Sequence, residues 1–76
     1  MITVKDKLIC QACHPKAWQP SDGGEPILAT HVYTGQTHRG PAAFCDRHTA
    51  GSQILDNRLH VWHTVREFTR LGWVAP

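Results

Sequence analysis

Cys10-Gln11-Ala12-Cys13 sets two thiols at the spacing of a tight knuckle, and Cys45-Asp46-Arg47-His48 sets a thiol and an imidazole one helical turn apart. Read together, Cys-x2-Cys … Cys-x2-His supplies four soft or borderline ligands in two close pairs. A tetrahedral zinc ion selects such a set. The two pairs use all three cysteines of the chain. The predicted ligands are therefore Cys10, Cys13, Cys45 and His48, with His14 and His38 as alternatives for the fourth. His48 leads because residues three apart on a helical turn share one face. Four protein ligands leave no open coordination position, so one structural ion is expected and not a catalytic one.

Other chemistries fit these residues less well. Cys10-Gln11-Ala12-Cys13-His14 also matches the haem-attachment pattern, which needs export and a second axial ligand. No secretory signal is visible at Met1-Ile2-Thr3-Val4-Lys5-Asp6-Lys7, Met1 is the only methionine, and Cys45 and His48 would be left without a role. Thiol-redox use of Cys10 and Cys13 needs a helix after the first cysteine, and His14-Pro15 removes it. His60-x-x-His63 falls on one face of the predicted helix and is expected to be plain surface. The six acidic residues form no close pair at catalytic spacing, and neither Ser21 nor Ser52 sits in an elbow motif, so no enzymatic activity is expected.

The elements that must hold these ligands have little core to rely on. At 76 residues, a chain buries only about 60% of its unfolded surface and usually carries a staple. Three cysteines cannot all pair within one chain, and an intracellular, cytoplasmic setting with reduced thiols follows. The formal charge of +2 falls to about +1 once three thiolates bind one dication. Nucleic-acid binding would need a local patch and could not draw on the overall field. No apolar run approaches the length of a membrane span.

The whole chain, 1–76, reads as one zinc-binding domain: knuckle, loop and hairpin over 1–50, and an amphipathic helix with its tail over 51–76. Ile2, Val4, Leu8 and Ile9 predict a short strand leading into the first ligand pair. Residues 17–26 read as a loop rich in turn residues, with Trp18 as a lid over the metal site or the small core. Residues 27–34 are β-branched and aromatic, Gly35-Gln36 is a turn, residues 37–41 prolong it, and Ala42-Ala43-Phe44 is the return strand that delivers Cys45. His31 is expected to be a packed or edge histidine. Ala50-Gly51-Ser52 weakens the helix; either the ligand turn runs on, or Ser52 caps a second start. Residues 53–71 then read as one long C-terminal helix stopped at Leu71-Gly72, with Trp73 and Val74 folding back.

On that helix Ile54, Val61, Val65 and Phe68 fall together, and Leu55, Leu59 and Trp62 lie on the neighbouring arc beside Arg58 and Arg66. The first group is assigned to the hairpin. The second (Leu55, Arg58, Leu59, Trp62 and Arg66) has the Trp-plus-Arg composition of a binding hot spot and is the expected partner surface. Replacing Leu59 and Trp62 by alanine is then expected to spare the fold and remove binding.

The order of knuckle, hairpin and a helix whose first turn supplies the last two ligands resembles a treble-clef zinc finger. More narrowly, Cys10-x2-Cys13 with Phe44-Cys45-x2-His48 is similar to very small zinc-finger-like proteins of actinobacteria and their phages. The resemblance covers about residues 8 to 50; the loop before Pro26 is longer than that pattern needs, and the C-terminal helix lies outside it. It implies a small α+β zinc-stabilised fold, but treble clefs serve many functions. The expected function is a non-enzymatic, regulatory or phage-encoded zinc-binding module that docks on a protein or on its own copy. The alternative is a DNA- or RNA-binding zinc finger using Lys16, Arg39, Arg47, Arg58, Arg66 and Arg70 with Trp18 or Trp62 as a stacking surface.

Overall fold

The chain segments around the ligand pairs are too short and too polar to bury an element alone, and they are held by pairing with one another. The computed structural model describes residues 3–4, 7–16, 18–19, 21, 23–35 and 40–72. Expectations for Ile2, Gln36, His38, Arg39, Trp73 and Val74 lie outside them. Strand β1 (Thr3–Val4) pairs antiparallel with β2 (Lys7–Leu8). The chain then runs on through fully buried Ile9 and Cys10, which bond to the far side of the loop: Ala29 N–H to Leu8 O at 3.0 Å and Cys10 N–H to Ile27 O at 2.9 Å.

The second sheet has the order β4-β3-β5, all antiparallel, from β3 (His31–Tyr33), β4 (Ala42–Phe44) and β5 (Trp62–Thr64). The expected return strand at Ala42–Phe44 is therefore present, and of the 27–34 segment the strand proper is His31–Tyr33. His31 stands on the central strand and not at an edge. Alternation puts Val32, Ala43 and His63 in register on one face. There Val32 and Ala43 join Leu8 and Phe68 in the buried core, with Ala29 and Val65 packed against it. On the other face Tyr33 pairs with Trp62, ring centroids 4.8 Å apart, and Phe44 stands 6.1 Å from Trp62.

Helix α1 (Asp46–Leu55) starts immediately after β4 and runs straight through Ala50-Gly51-Ser52, so the ligand turn continues and Ser52 caps nothing. The long C-terminal helix over 53–71 does not form. The chain leaves the helix at Asp56, passes through a 3-10 turn (Leu59–Val61) and β5, and forms only a short α2 (Val65–Arg70). The cause is local. The Asp56 carboxylate accepts from Arg58 N at 3.2 Å, Arg58 Nε at 2.9 Å, Arg58 Nη2 at 2.7 Å and the Tyr33 hydroxyl. The Asp56 carbonyl, which a continuing helix would use, accepts instead from Trp62 Nε1 at 2.8 Å. An aspartate that satisfies its own neighbours in this way competes with helix propagation.

Thr64 and Glu67 then restart the helix. Thr64 Oγ1 accepts from Glu67 N–H at 3.1 Å while Glu67 Oε1 accepts from Thr64 N–H at 3.0 Å. Gly72, at φ 91, ends it, as Leu71-Gly72 predicts. The apolar residues of the two neighbouring arcs consequently separate. Val61, Trp62 and Phe68 are buried, whereas Ile54, Leu55 and Leu59 are 85%, 90% and 85% exposed. No helix among the described residues is long and apolar enough to cross a membrane.

Candidate metal centre

Each ligand pair is positioned by hydrogen bonds that leave its side chains free for other use. In the knuckle, the His14 N–H donates to Cys10 O at 3.0 Å and closes the turn that brings Cys13 back beside Cys10. The Ile27 N–H donates to His14 Nε2 at 2.9 Å, while the Cys10 N–H donates to Ile27 O. His14 therefore serves as an anchor for the knuckle and is not the fourth ligand. In the second pair, Cys45 occupies the N-cap of α1 with extended backbone and no side-chain cap bond. His48 follows on the first turn, with the Thr49 N–H bonded to Cys45 O at 2.8 Å. Thr30 Oγ1 holds the first helical residue through Asp46 Oδ1 at 2.7 Å and also lies 2.9 Å from His31 Nδ1.

The two pairs are joined by residues just beside the ligands. Gln11 N–H donates to Ala43 O at 3.0 Å, and Ala43 N–H donates to Gln11 Oε1 at 3.3 Å. This link ties the middle of the knuckle to the strand two residues before Cys45.

Cys10, Cys13, Cys45 and His48 thereby offer four ligand atoms that all lie within 4.8 Å of one another. His48 Nδ1 is 3.4 Å from Cys10 Sγ, 3.3 Å from Cys13 Sγ and 3.2 Å from Cys45 Sγ, and Cys13 Sγ is 4.0 Å from Cys45 Sγ. For a tetrahedral ion with the usual zinc bond lengths, the edges are about 3.8 Å between sulfurs and about 3.5 Å between sulfur and nitrogen. The three sulfur–nitrogen distances and the Cys13–Cys45 distance match those edges to within a few tenths of an ångström. The histidine atom aimed at the sulfurs is Nδ1, so an ion held there fixes the remaining imidazole proton on Nε2.

Electrostatics makes the same demand for a cation. Burial pushes the Cys13 thiol up to about 12, helped by hydrogen bonds and repulsion from Cys10 and Cys45. Burial also opposes ionisation of Cys10, yet N–H groups of Cys45, Cys13 and Ala12 aimed at its sulfur leave it below the ordinary thiol value. The buried cluster resists becoming three thiolates, a cost that a positive ion joining them would offset. The donor set fits zinc, which these four residues would hold as a closed structural site.

Of the expected partner residues, Trp62 is taken into the core while the others are exposed. Trp62 is only 9% exposed, hydrogen-bonded to the backbone and packed at a tilt against the Tyr33 ring. It is a core residue, unavailable either to a docking partner or to stack on a base. Arg58 is exposed but bound bidentately by Asp56, Arg66 lies exposed on α2, and Leu55 and Leu59 stand out on either side of the Asp56 turn. The expectation that Leu59 and Trp62 could be truncated together without harm to the fold fails at Trp62. His60 and His63 share no helical face, since His60 sits in the 3-10 turn and His63 in β5. Trp18 is half-buried.

The positioning roles of Gln11, His14, Tyr33 and Asp56 have no signature in the sequence, where His14 reads as an alternative ligand. Of the unforeseen features, only the Thr64-x-x-Glu67 capping box had a local signature. Comparison of the chain with protein-family models, with curated proteins and with solved structures returned no match.

Proposed function

We propose that the chain is a non-enzymatic, treble-clef-like zinc module that docks as an adaptor on a larger protein. The observation that carries this is the pairing of a four-ligand cluster at the start of α1 with large apolar side chains left exposed at its far end. A site with four protein ligands has no position for substrate, so the ion's contribution is to fix α1 on the knuckle. Ile54, Leu55 and Leu59 project from the far end of that helix and from the turn beyond it, and their exposure contributes nothing to folding. Large apolar side chains held out on a metal-fixed element are what an apolar groove on a partner would accept.

The test compares wild-type protein with a Leu55→Asp, Leu59→Asp variant in co-purification from native cells. It adds light scattering of the purified species and titration of labelled DNA and RNA at low and moderate salt. The expected result is a stoichiometric protein partner that the variant loses while keeping its zinc and its melting temperature. A homodimer disrupted by the variant would replace the larger protein by a second copy. Salt-steepened nucleic-acid binding untouched by the variant would contradict the proposal and favour a nucleic-acid function.

A further inference from the structure

Helix α1 turns one half of its circumference to the fold and the other half to solvent. His48, Thr49, Ser52 and Gln53 are buried or half-buried, whereas Asp46, Arg47, Ala50, Gly51, Ile54 and Leu55 are exposed. At about 100° per residue, Arg47, Ala50, Gly51 and Ile54 line the middle of the outer half, with Asp46 and Leu55 at its two rims. Large apolar side chains stand at one end of this face, Ile54 at 85% and Leu55 at 90% exposure. A cation stands at the other. Arg47 forms no ion pair among the described residues. Asp46 is occupied by the Thr30 hydroxyl and lies 3.7 Å from His31 Nδ1, so the free charge of the face is positive.

Gly51, between the two ends, serves nothing inside the chain. It lies within the helix, its φ is not in the left-handed range, and a Cβ there would meet nothing within 4 Å. An exposed glycine in mid-helix is destabilising relative to alanine. What it supplies is room. With Ala50 beside it, it lets a second backbone come nearer than the interaxial distance of about 8–10 Å usual for packed helices.

We infer that the larger protein presents an α-helix to this face, crossing α1 at Gly51, with an acidic side chain opposite Arg47 and apolar side chains on Ile54 and Leu55. The inference rests on the docking reading above and adds the chemistry and register of its partner. Charge complementarity selects the acidic helix, because a basic one would meet Arg47 with like charge. A second copy fits the face less well. Crossed antiparallel at Gly51, each Arg47 would face Leu55 of the other copy; crossed parallel, it would face Arg47. Neither arrangement gives Arg47 an acidic partner.

The experiment uses the full zinc-loaded chain and two synthetic amphipathic helices of about five turns. Both carry the same leucine stripe, edged by glutamate in one and by lysine in the other. Fluorescence anisotropy follows binding at low and moderate salt. The glutamate-edged helix is expected to bind at least about tenfold more tightly, with the difference shrinking as salt rises. Arg47→Glu is expected to reverse the preference. Gly51→Leu is expected to raise the melting temperature by a few degrees, since it removes a helix-weakening residue, and yet to weaken binding at least about tenfold. Equal binding of both helices, binding of neither, or Gly51→Leu that binds as wild type overturns the inference, as does a homodimer in light scattering that Gly51→Leu abolishes. A co-purified protein lost by the Leu55→Asp, Leu59→Asp variant but kept by Arg47→Glu and Gly51→Leu overturns it while the docking reading stands. A wild-type chain with no protein partner removes that reading, and the inference with it.

Discussion

Gln11 and Ala43 hydrogen-bond to each other twice, through the Gln11 N–H on the Ala43 carbonyl and the Ala43 N–H on the Gln11 side-chain carbonyl. This reciprocal pair sets the distance between a knuckle and a helix start that lie more than thirty residues apart in the chain. Because Ala43 is fully buried, its N–H has no access to water if the side-chain acceptor is removed. Gln11→Ala is expected to cost about 1–3 kcal/mol and to weaken metal retention with it. Thermal melting and chelator competition measure both; an unchanged melt would show that the pair does not brace the site.

Trp62 is the residue on which the second face of the sheet closes, through Tyr33, Phe44 and the Asp56 carbonyl. Trp62→Ala is expected to cost about 3–5 kcal/mol, comparable with everything that holds so small a domain. Leu59→Ala, at a position 85% exposed, is expected to stay within about 0.5 kcal/mol of wild type. Denaturant melts of the two single variants check this; equal stability of both would contradict the observed packing.

Metal loading is expected to weaken as pH falls. In the absence of a cation, burial and the neighbouring sulfurs hold the Cys13 proton on, with the thiol pushed up to about 12. Binding must therefore release at least that proton, and low pH favours the metal-free state. Between about pH 8 and about pH 6 the apparent zinc affinity should drop at least about tenfold per unit. Competition titrations with a chelator of known protonation behaviour check the slope; an affinity independent of pH would contradict thiolate ligation by Cys13.

The site was legible in the sequence because its information is local. Cys-x2-Cys and Cys-x2-His each fix two side chains within a single turn, and only their meeting had to be supplied by the fold. The strand Ala42–Phe44 and the stop at Gly72 were legible for the same reason. The region after Leu55 was not. Ile54, Leu55, Leu59, Val61, Trp62, Val65 and Phe68 mimic a helical stripe, yet long-range partners decide their fate. The Tyr33 hydroxyl reaches Asp56 from β3, and β5 takes up hydrogen bonds with β3 that no periodicity in residues 53–71 encodes. His14 reads as a spare ligand in the sequence because its acceptor role depends on Ile27, thirteen residues on.

X-ray absorption at the zinc edge on the purified chain tests the central claim most directly. Ligation by Cys10, Cys13, Cys45 and the Nδ1 atom of His48 predicts about one zinc per chain, with three sulfurs at about 2.3 Å and one nitrogen at about 2.0 Å. A chain without stoichiometric zinc, or a zinc shell dominated by oxygen and nitrogen, would contradict it.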